Sequence, residues 1–275
     1  MLRSMFSAIS GLKSHQTMLD VTANDIANVN TIGFKAGRTT FKDSLAQLQS
    51  GSAAPSGVQG GANAKQIGLG VQLGSIDNLM GGGALQSTGN VLDVAIQGEG
   101  WFRVGAGAPP AMPTTVQYTR AGNFTTNQQG NLVTQDGAYV MGRTVSGAGV
   151  DTYLQIPPGA TNTAIGQDGS VSYDPPGGGT RAIAGYISLA KFANEAGLER
   201  ASSNRWNAGG SSGAEQVNTP GNGYGLTTSG AVEMSNVDLA QEFTSMITAQ
   251  RGFQANSRVI STADEILQDL VNLKR

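Results

Sequence analysis

The sequence predicts an α+β protein: N- and C-terminal helices forming a coiled-coil-like terminal domain, with a central antiparallel β domain between them. Three observations carry that expectation. Leu239, Met246, Phe253, Ile260 and Leu267 recur every seventh residue near the end of the chain. Leu2, Met5, Ile9, Leu12, Leu19, Ala23 and Ile26 keep a three/four spacing near its start, interrupted only at Gln16. In the middle, short alternating apolar runs are cut by glycine-containing turns, the pattern of antiparallel strands. The expected organisation is a helical terminal domain at 1–30 and 236–275, connecting segments at 31–69 and 209–235, and a β-rich outer domain at 70–208.

Composition narrows the function classes. The chain has 275 residues, of which 39% are hydrophobic, enough for a sizeable core. Net charge is −2, so no basic field points to nucleic acid or an anionic membrane. Only 13% of residues are charged, and 40 glycines together with Ser, Thr, Asn and Gln supply the polarity instead. Such a surface repels copies of itself weakly. Cysteine is absent and His15 is the sole histidine, which removes disulfides, thiolate chemistry and histidine-based triads or metal sites. No run of 18 apolar residues is present and Met1 to Ala8 lacks a secretory h-region with a cleavage site, so if the protein leaves the cytoplasm a route without a cleaved signal peptide takes it.

The elements follow in chain order. Residues 3–29 read as an amphipathic helix whose other faces carry Ser and Thr rather than charges. It runs into Asn28-Val29-Asn30-Thr31-Ile32-Gly33-Phe34-Lys35, where Asn and Gly tolerate the left-handed backbone that ends a helix and Phe34 follows as an anchor. An extended or helical arm at 39–48 leads to a Gly/Ser/Ala/Pro run at 50–64, which reads as a flexible linker. Strand runs are expected at 92–97, 101–104, 116–118, 131–133, 171–173 and 183–189. Trp101, Phe102, Tyr118, Phe124, Tyr139, Ile156, Ile165, Ile187 and Phe192 are the expected core. A second Gly/Ser-rich stretch at 202–230 precedes the long C-terminal helix. Ser235 and Asp238 have capping-box spacing there, and at about 1.5 Å per residue the helix would run roughly 50–60 Å. Gly11 and Gly252, each costly inside a helix, mark places where another backbone comes close.

Several of these segments resemble the bacterial flagellar rod and hook family. At the N-terminus the resemblance rests on Asn24-Asp25-Ile26-Ala27-Asn28-Val29-Asn30-Thr31-Ile32-Gly33-Phe34-Lys35. In the middle it rests on Asp93 to Phe102 and Tyr118 to Phe124, and at the C-terminus on Glu233 to Ala240, Gln250 to Ser257 and Asp264 to Leu267. Residues 50–76 resemble hook members more than distal rod members. The resemblance therefore implies a structural subunit of the flagellar hook, with the distal rod as the alternative. It also implies polymerisation into a helical tube, neighbours in the distal rod, hook cap and hook–filament junction, and passage through the flagellar type III export apparatus. The expected assembly residues are Leu2, Met5, Ile9, Leu12, Leu19, Ile26, Asn28, Gly33, Phe34, Leu239, Phe243, Met246, Phe253, Ile260, Leu267 and Leu270. No catalytic residue, cofactor, metal, nucleic acid or small-molecule substrate is expected. Gly209-Gly210-Ser211-Ser212-Gly213 satisfies the nucleophile-elbow spacing only literally, since no strand precedes it and His15 lies at the other end of the chain. Asp168-Gly169 lacks the further acidic ligands of a calcium loop.

Overall fold

The computed structural model describes residues 2–273 except 53, 56–59, 62, 108–112, 114, 148, 178 and 222. Contacts divide the chain into two units. One comprises Met1–Ala27, Gly37–Asn78 and Asp238–Arg275; the other comprises Asn28–Ala36 and Leu79–Val237.

The first unit holds two helices, α1 (Leu2–Ala27) and α2 (Leu239–Asn272). Asp238 caps α2, its side chain accepting from the amides of Ala240 and Gln241. Ser235 accepts only from Val237, so the cap sits three residues later than the Ser235 spacing suggested. Four strands complete the unit: β1 (Gly37–Asp43), β2 (Ala46–Ser50), β3 (Lys65–Gly68) and β4 (Val71–Asn78). β1 pairs with β4, and β2 with β3, both antiparallel. The stretch 31–69, expected as a connecting segment, therefore carries β1, β2 and β3, while part of the 50–64 linker lies outside the described residues. The Ser10 hydroxyl accepts from the Val71 amide at 3.2 Å, and the His15 ring meets Phe41 edge-on at 6.1 Å, which seats the first ribbon on α1.

The second unit is a β body. Its main sheet runs in the order Thr161–Ile165, Ser170–Asp174, Ala182–Ile187, Tyr139–Arg143, Trp101–Ala106, Thr115–Thr119, Arg205–Asn207, Glu199–Arg200. Each pairing is antiparallel, as the alternating pattern and tight turns predict. Every expected core residue is buried except Tyr139, which is partly exposed. Phe102 packs edge-on against Phe124 at 5.1 Å, and Trp101 against Trp206 at 5.8 Å. Residues 209–235 depart from expectation. They carry the strands Gln216–Asn218, Leu226–Ser229 and Ala231–Glu233, which pair with Leu189–Lys191, Val94–Gln97 and Leu85–Ser87. Their Gly and Ser supply the turns between short strands, and the stretch belongs to the β body.

Candidate assembly surface

The contact face of the helix pair is built from small residues. Along α1, Ala8, Gly11, Ser14, Thr22 and Asp25 are buried; along α2, Ala249 and Ala263 are. A Cβ on Gly11 would stand 2.8 Å from Asn256, and one on Gly252 would stand 2.5 Å from the His15 ring. Gly11 faces Asn256 and His15 faces Gly252, so the helices run antiparallel in a fixed register. The two glycines make room for side chains of the facing helix, Asn256 and His15, rather than for the close backbone that their sequence positions suggested. Ser10 and Ser14 turn their hydroxyls back onto carbonyls of their own helix.

That seam is offset from the apolar heptad. Met5, Leu12, Leu19, Ile26, Met246, Phe253, Ile260 and Leu267 are only partly covered, while Ile9, Leu239 and Phe243 are exposed. The side chains of Leu2 and Leu270 lie outside the described residues. Phe6 is 67% exposed and Phe243 50%, and Ile247, Val259 and Ile266 are exposed with them. The large side chains thus flank the pair instead of filling it. Within the same unit every residue of β2 and β3 is exposed, including Leu48 and Ile67.

The other expected assembly residues sit in the β body. Asn28 is partly buried and its side chain accepts from the Thr31 hydroxyl. Gly33 has φ +68°, and a Cβ there would fall 2.5 Å from the Ala121 amide nitrogen, so only glycine fits. Phe34 is buried beneath the Arg200 guanidinium, 4.8 Å from its ring centre. Gly33 and Phe34 therefore serve the fold of this chain.

Beside them lies a cluster that sequence reading missed. Lys35 and Glu233 are each 1% exposed, and the Lys35 ammonium reaches Glu233 Oε1 at 2.6 Å and the Gly81 carbonyl at 2.9 Å. Arg120, also buried, holds Glu233 Oε2 at 3.2 Å and stacks over Trp101. The Gly83 amide donates to Glu233, and Asn236 bonds the Ala36 amide and the Leu79 and Gly81 carbonyls. Burial, opposed by Glu233, pushes the Lys35 ammonium below its ordinary value. Three passages of chain, at 33–36, 79–83 and 233–236, are clamped together by these contacts.

The two motifs set aside from the sequence have structural roles. Ser212 is fully buried, with its hydroxyl donated to the Gly209 and Gly213 carbonyls of a turn. Asp168 accepts from the Ser170 amide and hydroxyl in a tight turn.

Along its entire length this chain is 50% identical to the flagellar basal-body rod protein FlgG of Bacillus subtilis, which it also covers entirely. The chain belongs to the flagellar rod and hook family. Family models match in three places. The flagella basal body rod protein model covers residues 5–35, the flagellar hook protein FlgE/F/G D1 domain 95–173, and the flagellar basal body rod FlgEFG protein C-terminal model 228–273. They take in α1 with the Gly33–Phe34 segment, most of the main sheet, and α2 with Glu233. FlgG of Caulobacter vibrioides is 37% identical over 99% of this chain and all of its own length. The flagellar hook protein FlgE of Borreliella burgdorferi is 27% identical, in an alignment stretched over 447 residues.

Proposed function

We propose that this chain is a structural subunit of the flagellar basal-body rod, in its distal part, and not of the hook. What carries the choice is whole-length similarity. Rod proteins match at 33–50% identity without large gaps, whereas the hook relative matches at 27% and needs an alignment far longer than 275 residues. The hook expectation rested on residues 50–76, a short stretch of low complexity that the full-length comparison outweighs. The hook cap and hook–filament junction drop out as direct neighbours with it; copies of the chain, other rod proteins and the hook base remain.

Polymerisation runs through the flanks of the helix pair. The small-residue seam satisfies α1 and α2 within one chain, and the half-covered apolar residues on either side, with few charges among them, pack against neighbouring copies. Each of Leu239, Phe243 and Phe253 would bring roughly 1.5–3 kcal/mol if fully covered. Gly33 and Phe34 stay inside the chain. The reading rests on similarity to structural rod proteins, so no enzymatic activity is assigned.

The test is to delete the gene in the producing bacterium and image isolated basal bodies. A rod cut short, with no hook, is the expected result, restored by supplying the chain. A full-length rod that lacks only its hook would return the chain to the hook.

A further inference from the structure

Arg251, Arg258 and Glu265 each stand two residues past a seam position of α2, after Ala249, Asn256 and Ala263. Two residues turn about 200° around a helix, so the three form a stripe on the side of α2 turned away from the seam. All three are exposed, and so is Asp269, one turn beyond Glu265. Phe243 and Ile247, exposed as well, lead up to Arg251 at four-residue steps. From its start the stripe therefore runs apolar, then basic, then acidic.

None of the four charged side chains forms an ion pair or a hydrogen bond with a described residue. The acids do not serve the helix that carries them. Glu265 and Asp269 set like charges four residues apart, and Asp269 lies in the last turn, where the helix dipole disfavours an acid. Two cations and two anions on one exposed stripe make it complementary to itself. Fourteen residues separate Arg251 from Glu265 and eleven separate Arg258 from Asp269, about 21 Å and about 17 Å of helix. One axial offset of about 19 Å between parallel helices thus brings both acids of one within side-chain reach of both arginines of the other.

We propose that this stripe is a docking surface for a second copy of the chain, the acidic end of α2 in one copy lying against the arginines of α2 in the next. The inference rests on the polymer proposed above and adds the register in which its copies meet. Rod or hook makes no difference to it. The contact is heterologous, with each copy offering its acids to one neighbour and its arginines to another, as an open helical polymer requires. Exposed ion pairs are individually weak, so the apolar side chains supply the affinity and the charges fix the offset and reject others.

Charge reversal in the full-length chain tests it, with each variant supplied to a strain of the producing bacterium that lacks the gene. Complete axial structures are counted in electron micrographs of isolated basal bodies. Arg251→Glu with Arg258→Glu makes the charged stripe wholly acidic, and Glu265→Lys with Asp269→Lys makes it wholly basic. Each double variant alone should lose assembly, because like charges then meet at every contact. The two expressed together should restore it, as should all four substitutions in one chain. Normal assembly by either double variant alone overturns the proposal; loss confined to the arginine variant would give those arginines to a different protein. Failure of the co-expressed pair overturns it too, since the charges would then act within one chain. Intact flagella in the strain lacking the gene would remove the polymer reading and the contact together, so the two failures are told apart before any variant is made.

Discussion

Lys35, Glu233 and Arg120 show what single residues do for this fold. Two cations share one carboxylate out of reach of water, and backbone groups at Gly81, Gly83 and Gly98 add further hydrogen bonds to the cluster. Removing the shared partner is the worst insult. Glu233→Ala leaves two buried cations facing each other and should cost about 3–5 kcal/mol, whereas Lys35→Met keeps the Glu233–Arg120 pair and should cost about 1–3 kcal/mol. Denaturant midpoints followed by β-sheet circular dichroism measure both, and the reverse order would show that Lys35 holds the cluster. Lys35 and Glu233 lie inside stretches that the sequence marked as signatures. Their pairing was not legible, because nothing in either stretch points to a partner 198 residues away.

At the scale of elements, strands were easy to read and the helix seam was not. Alternation in Ser170–Asp174 and a short, nearly continuous buried run in Trp101–Ala106, with Gly130, Gly137 and Gly169 at positive φ in the turns, encode the β body locally. The helices present two stripes at the same period. Large apolar residues at 239, 246, 253, 260 and 267 dominate any hydrophobicity pattern, yet the seam on α2 runs along Ala249, Asn256 and Ala263, also seven apart. Small and polar residues weigh little in such a pattern, and only the costly glycines pointed to the seam, where they make room for Asn256 and His15. Gly252→Val should therefore overfill the seam against His15 and cost about 1–3 kcal/mol, read as lost exchange protection across both helices with the β body intact. Full protection in that variant would place the contact elsewhere. The Gly/Ser-rich stretch at 209–235 misled for a related reason. Strands of three or four residues are too short to show a period among so many turn residues.

In the whole molecule two jobs that the apolar pattern runs together fall to different residues: small ones line the seam of the helix pair, and on the proposed reading the large ones beside it are left for copies of the chain. Low charge allows copies to approach, and a pair of helices already satisfied along one seam can present its flanks without rearranging. Similarity over the full length supplies the family and favours the rod. Which residues meet in the polymer is the proposal most open to contradiction. Hydroxyl-radical footprinting of the monomer and of assembled filaments, read by mass spectrometry, addresses it directly. Phe6, Phe243, Ile247 and Ile266 should be labelled in the monomer and protected in the filament, with His15 and Phe34 changing little. Equal labelling of those four side chains in both states would contradict the account.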